Sequence, residues 1–212
     1  MIITLGHTKG GVGKSTLALN IAIERLSAGV DTLLIDGDPR QTSISKAVDI
    51  RSQAGNTPEL PCLALDDTQD LRHQVELQKS NYQDIVIDVG GKDSIPLRSA
   101  LAITDVLLLP VAPESVEIWA LDDILEIVTE ARAFRHFRVM AFVNRAKPAG
   151  RDNEHTKSII REYEDIHLIP NTVGDRNVFS SAFGRGQSVS EFRPLNRKAV
   201  NEISALMQSV FA

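Results

Sequence analysis

Cysteine is nearly missing from this chain. Cys62 stands alone among 212 residues, so no intrachain disulfide can form and one chain cannot assemble a cluster of cysteine metal ligands. That usage points to a reducing cytoplasm. It also excludes an iron–sulfur cluster shared between two subunits, which needs two cysteines from each. Long apolar runs are missing too: no segment reaches the 18 or so residues of a membrane span. The opening "MIITLGHTKGG" has no basic stretch followed by a long apolar run, so it does not read as a secretory signal. The expectation is a soluble protein, with peripheral membrane contact left open. Internal repeats and low-complexity segments are absent, which excludes a solenoid or a tail.

What is present is ordinary globular material: 42% apolar and 24% charged residues, in a length that fits one domain over 1–212. Net charge is −5, which taken whole argues weakly against nucleic acid, but the charges are unevenly spread. Between Ala131 and Lys198 there are 13 Lys/Arg against 7 Asp/Glu, leaving 10 against 21 elsewhere. Such asymmetry fits a localised basic face, and it equally fits a set of solvated surface charges.

Short apolar runs rich in β-branched residues occur at 2–6, 32–36, 84–89, 106–111, 139–144 and 166–170, with "PCLALD" at 61–66 as a further edge candidate. Runs this short and this apolar fit strands buried on both faces. Amphipathic segments lie between them: Lys14–Ala28, Asp67–Lys79, Ser94–Ile103, Ser115–Ala133, Asn153–Tyr163 and Leu195–Phe211. The polar stretch Arg51–Pro61 reads as a surface loop. Alternation of β and α predicts an α/β fold, a three-layer αβα sandwich around a mostly parallel twisted sheet.

"GHTKGGVGKST" (6–16) follows the first strand and opens the first helix. Gly13, Lys14 and Ser15 match the end of the phosphate-loop pattern G-x-x-x-x-G-K-[ST], while its first glycine falls on Thr8, so the strict pattern fails. In this context the backbone N–H groups of Gly10 to Ser15 converge on phosphates, helped by the helix N-terminus. Gly10, Gly11 and Gly13 suit a backbone that takes positive φ or passes too close to a ligand for a Cβ. Lys14 is expected to bridge the β- and γ-phosphates and the Ser15 hydroxyl to ligate Mg²⁺. A flexible glycine turn is the alternative.

"KGGVGKST" resembles the deviant Walker A motif of the ParA/MinD family of P-loop ATPases, in which an extra lysine precedes the glycines. The resemblance covers nearly the whole chain. It implies a P-loop NTPase of the deviant Walker A type that binds ATP with Lys9, Gly10, Gly11, Val12, Gly13, Lys14, Ser15 and Thr16. It implies further that Lys9 reaches across a nucleotide-sandwich dimer to the partner's ATP, a cation supplied in trans to a charge-dispersing transition state. The catalytic set is then Lys9, Lys14 and Asp38.

"LLIDGDPRQTS" (33–43) resembles the family's D-x-D-P motif, and residues two apart on a strand face the same side. The resemblance gives Asp38 the attacking water and Asp36 support of Mg²⁺ and the loop; a plain Asp-Pro turn is the alternative. The family often has Gln directly after the Pro, whereas Arg40 intervenes here before Gln41. "DIVIDVGGKDS" (84–94) reads as Walker B with Asp88 at Mg²⁺, making the metal set Ser15, Asp36 and Asp88. Gly90 and Gly91 replace a proline pair common in the family and are similar to small plasmid-type partition ATPases. By resemblance Asn144 contacts adenine, or else caps a turn, and Pro170 lies along the base.

Within the family, the leading expectation is a ParA-like partition ATPase. It implies an ATP-bound homodimer, non-specific DNA binding and a ParB-like adaptor that stimulates hydrolysis, with a cytoplasmic, nucleoid-associated location. Arg176, Arg185, Arg193, Arg197 and Lys198 are the expected phosphate-contacting cations. With the phosphate loop starting almost at residue 1, an N-terminal helix-turn-helix is not expected. A MinD-like membrane or cargo-positioning ATPase is the alternative, but the final segment, with Val200, Ile203, Met207 and Val210 at helical spacing, has no cations beyond Lys198. It reads as a core-packed helix, so no stable membrane association is expected. A biotin-pathway or cobyrinate-type ligase on the same fold does not require Lys9.

Overall fold

The computed structural model describes residues 1–38, 42–65, 70–90, 95–113, 115–148 and 151–212, without the side chains of 115–119. Among these residues seven strands form one parallel sheet: β1 (Ile2–Leu5), β2 (Thr32–Gly37), β3 (Cys62–Ala64), β4 (Asp84–Val89), β5 (Val106–Val111), β6 (Arg138–Val143) and β7 (His167–Leu168), in the order β3-β2-β4-β1-β5-β6-β7. The helices are α1 (Lys14–Ser27), α2 (Ser43–Gln53), α3 (Leu71–Gln78), α4 (Ile95–Leu101), α5 (Ser115–Arg132), α6 (Arg151–Ile160), α7 (Asn177–Phe183) and α8 (Arg197–Val210).

Alternation along each strand divides the interior into two cores. Ile3, Leu5, Leu34, Val86, Leu108 and Phe142 face one side, packed against α1, α2, α7 and α8. Leu33, Ile35, Ile85, Ile87, Leu107 and Ala141 face the other, packed against residues of α3, α4, α5 and α6. A strand clamped between two helical layers has no polar face to show, which is why these segments read as unbroken apolar runs.

The connection leaving β1 runs through α1 to β2, past β4; the one leaving β4 runs through α4 to β5, past β1. The two diverge, so the crevice beyond the carboxyl ends of β1 and β4 is the topological switch point where ligands bind in such sheets. Asp36 of β2 stands in register with Asp88 of β4, and Asp88 with Leu5 of β1, so both carboxylates reach that crevice.

The structure differs from the sequence reading at several elements. α2 is an additional helix, and it absorbs the first three residues of the stretch expected to be loop. The reason is visible in α2's buried face, Ile44, Ala47 and Arg51: one of its three inward positions is an arginine, which hides the helical period. α8 buries Ala199, Ile203, Leu206 and Val210, a stripe rotated slightly from the expected one. The edge strand at 61–66 forms over Cys62–Ala64, whereas 166–170 keeps only His167–Leu168 as strand.

Candidate functional site

Gly11 and Gly13 hold φ of 81° and 92°, so the loop after β1 takes the left-handed turns that glycine tolerates. Gly13 is doubly constrained, because a Cβ there would lie 2.7 Å from Asn144 Nδ2. Gly10 has neither constraint from the chain itself: the space at its Cβ position is open. Gly13 is also the N-cap of α1 with no side-chain cap, leaving the helix's first N–H groups turned toward the loop. Val12 is buried beneath the loop, and Thr16 accepts the Asn20 amide through its carbonyl.

Lys14 is 8% exposed, and its Nζ donates to the carbonyl of Lys9 at 3.2 Å. The two lysines singled out by the sequence are thus in direct contact. His7, fully buried, was not foreseen; its Nδ1 accepts the Lys9 amide at 3.1 Å. Burial, then the charges of Lys14 and Lys9, hold its pKa down at about 4.

The Ser15 hydroxyl donates to Asp88 Oδ2 at 2.5 Å. Asp88 is 2% exposed, and its Oδ1 meets no hydrogen-bond partner among the described residues. Burial pushes the carboxyl up to about 7; the Ser15 bond and Lys14 oppose this, and Asp36 and Asp38 reinforce it. A buried carboxylate oxygen with no partner, beside a serine hydroxyl and near two further carboxylates, is short of one cation, so these residues fit Mg²⁺. Among the described residues no group of three or more His, Cys, Asp or Glu is arranged to hold a metal. The fit is therefore to an ion that keeps waters and shares phosphate oxygens rather than one caged by protein.

Asp36, also 2% exposed, accepts from Ser45 N at 3.0 Å, Ser45 Oγ at 2.7 Å and Asp38 N at 3.3 Å. Its carboxylate thereby fixes the start of α2 and the turn bearing Asp38. Ser45 carries no sequence signal for this role, since it lies in a helix that the pattern hid. Asp38 is half-buried, and Gly90 gives it room: a Cβ at Gly90 would meet Asp38 Oδ2 at 3.0 Å. Gln41 and Gly91 lie outside the described residues.

Asn144, at the end of β6, donates its amide to the Val12 carbonyl at 2.7 Å, tying the phosphate loop to the neighbouring strand end. Arg145 follows with φ 53° and donates to the Gly11 carbonyl at 3.3 Å. Ile169 N and Val173 N bond to Ala141 O and Val143 O, which brings exposed Pro170 alongside β6.

The C-terminal cations separate into two kinds. Arg176 grips Glu202 of α8 through Nε at 3.1 Å and Nη2 at 2.6 Å, and that carboxylate raises its pKa further. Arg185, Arg193, Arg197 and Lys198 are exposed, and none forms an ion pair among the described residues. Arg185 lies over the Phe192 ring at 5.0 Å, and Arg193 donates to the Ser190 carbonyl at 2.7 Å. Arg197 and Lys198 occupy the first turn of α8, which holds no acidic residue, so two cations sit at the positive end of a helix dipole.

The chain is 25% identical over 210 residues to maintenance of carboxysome distribution protein A of Halothiobacillus neapolitanus, covering 98% of this chain and 95% of that one. It is 24% identical over 201 residues to protein ParA of Rhizobium radiobacter, covering 91% and 86%. In fold it is similar to the septum site-determining protein MinD of Pyrococcus horikoshii OT3 complexed with Mg-ADP, at a TM-score of 0.76 and 18% identity over 99% of this chain and 95% of that one. Residues 1–162 match the family ATPase MipZ. With a parallel switch-point sheet, a left-handed glycine loop and the paired lysines in place, the chain belongs to the ParA/MinD family of ATPases.

Proposed function

We propose that the protein is a ParA-like partition ATPase that dimerises on ATP, binds DNA without sequence preference, and releases it when a ParB-like adaptor stimulates hydrolysis. The observation that carries this reading is the set of four exposed cations, Arg185, Arg193, Arg197 and Lys198, that form no ion pair among the described residues, in a chain of net charge −5. Two of them sit at a helix N-terminus, where they cost helix stability, and an arrangement that is locally unfavourable is best explained by an anionic partner.

In this cycle the loop N–H groups and Lys14 hold the phosphates, and Lys14 leaves the Lys9 carbonyl to do so. Asp38, steadied through Asp36 and given room by Gly90, orients the attacking water. Ser15 and Asp88 would hold Mg²⁺, which when bound neutralises charge shared by the β- and γ-phosphate oxygens. Lys9 completes the partner's site, so hydrolysis follows dimerisation. The Asn144 amide positions the loop through Val12 and leaves its oxygen for the adenine edge, beside Pro170.

A cargo other than DNA, moved by the same cycle, is favoured by the likeness to a carboxysome distribution protein. A MinD-like membrane anchor is disfavoured because the apolar stripe of α8 is already buried in the core. Among the described residues, no helix is long and apolar enough to cross a membrane.

The test is DNA binding with ATP, ADP or no nucleotide across a salt series. The reading requires ATP-dependent binding that weakens steeply with salt. Affinity indifferent to nucleotide counts against it, and vesicle binding in place of DNA binding favours the MinD-like alternative.

A further inference from the structure

His7 lies between β1 and the phosphate loop, and the cycle above gives it no task. Its side chain is fully buried. Because Nδ1 accepts the Lys9 amide, the proton of the neutral ring is on Nε2. That Nε2 is buried and meets no acceptor among the described residues. An unmade buried hydrogen bond costs about 1–3 kcal/mol, which an apolar side chain of similar size would not incur. Stability therefore does not account for a histidine here; the acceptor at Nδ1 does.

What that acceptor holds is the Lys9 peptide. The amide of Lys9 is turned toward His7, and its carbonyl toward Lys14 Nζ at 3.2 Å. Thr8, between the two, is pinned by its hydroxyl to the Ala120 carbonyl of α5 at 3.2 Å, and Gly6 N bonds Leu108 O of β5 at 3.3 Å. The residues leading to Lys9 are thus tied to the neighbouring strand and helix, and His7 sets the last peptide before the loop opens. The low pKa keeps Nδ1 available as an acceptor at neutral pH.

We propose that His7 is a positioning residue for Lys9: its Nδ1 fixes the Lys9 peptide so that the side chain leaves the loop toward the partner's phosphates. This rests on the trans-lysine reading. Asparagine can offer a carbonyl acceptor near the place of Nδ1, whereas glutamine carries its acceptor one atom further out and leucine has none.

His7→Asn, His7→Gln and His7→Leu are made alone and with Lys9→Ala, and ATP turnover, affinity for a fluorescent ATP analogue and thermal midpoint are measured on the full chain. His7→Leu and His7→Gln are expected to lose about 10- to 100-fold in turnover, the scale of a misplaced group. Analogue affinity should stay within about threefold, since ground-state binding is untouched. His7→Asn restores most of the turnover, and on the Lys9→Ala background the His7 changes cost nothing more, as expected for residues acting as one unit.

Wild-type turnover in His7→Gln, no recovery in His7→Asn, or losses that add to those of Lys9→Ala each overturn the role of His7. Lys9→Ala alone separates the two ideas. If it hydrolyses at the wild-type rate, the trans-lysine reading fails and the His7 role with it. If it is inactive, the trans-lysine reading stands and the single variants His7→Gln, His7→Leu and His7→Asn judge His7; if it keeps a residual rate, the double variants judge it as well.

Discussion

Replacing Asp88 by asparagine is expected to stabilise the nucleotide-free protein at pH 8 while removing its response to Mg-ATP. Burial lifts the Asp88 carboxyl from 3.8 to about 7. An acid with a raised folded-state pKa binds its proton more tightly folded than unfolded. Its contribution is therefore most favourable below about pH 4 and is lost as pH rises toward 7, with little change above. At about 1.36 kcal/mol per pH unit, a separation of roughly three units is a penalty on the order of 4 kcal/mol. Asparagine removes the charge but leaves an amide group in place of the unpartnered Oδ1, so about half should be recovered, an increase of roughly 4–8 °C for a chain of this size. Thermal scans in EDTA from pH 4.5 to 8.5 provide the assay. The Asp88→Asn midpoint should exceed wild type at pH 8 and approach it toward acid pH. With Mg-ATP the wild-type midpoint should rise by ligand linkage and that of the variant should not. A variant no more stable than wild type at pH 8, with a parallel pH profile, would refute the reasoning.

Three further outcomes follow from other contacts. Arg51 is 1% exposed and joins partly buried Glu191 at 2.8 and 2.9 Å, the Pro58 carbonyl and the Gly186 carbonyl, so Arg51→Met, which leaves these acceptors without their donor, should cost about 2–3 kcal/mol. Urea unfolding measures it, and a wild-type midpoint contradicts the accounting. Gly13→Ala forces a side chain into φ 92° against the Asn144 amide, and should lose more than about tenfold in ATP affinity as well as about 1–3 kcal/mol of stability. Fluorescent-analogue titration reads the first and thermal unfolding the second; unchanged affinity would show that the loop shape is not what binds. Arg197→Ala with Lys198→Ala should lower the slope of log affinity for DNA against log salt by about 2, whereas Arg176→Ala should chiefly destabilise the fold by freeing Glu202. Equal slopes for the double variant and wild type would remove these residues from the interface.

Much of the frame was legible because burial on both faces leaves a plain mark. The runs at 84–89 and 106–111 match β4 and β5 to the residue. The loop was legible for a different reason: positive φ at Gly11 and Gly13 restricts the residue choice, so the glycines mark the backbone directly. Long-range partnerships were not legible. Nothing near Arg176 announces Glu202, and nothing in "SISKAVDIRSQ" tells that Arg51 is an inward residue matched by Glu191, so α2 was hidden and Ser45's hold on Asp36 with it. The basic excess between Ala131 and Lys198 had the same weakness. Arg132, Arg135, Arg145, Lys157 and Arg176 all have acidic partners, which sequence counting cannot subtract. Asn144 was recognisable as a strand-end residue, but its bond to Val12 depends on a loop 132 residues away.

The central claim is that Lys9 acts on the site of a second copy, and mixing two inactive variants tests it directly. Lys9→Ala keeps its own water-orienting Asp38, and Asp38→Ala keeps its own Lys9, so a mixed dimer contains one site with both. The account predicts that each variant alone fails to hydrolyse ATP and that an equimolar mixture recovers turnover from that one site. A mixture that stays silent while forming mixed dimers would contradict it.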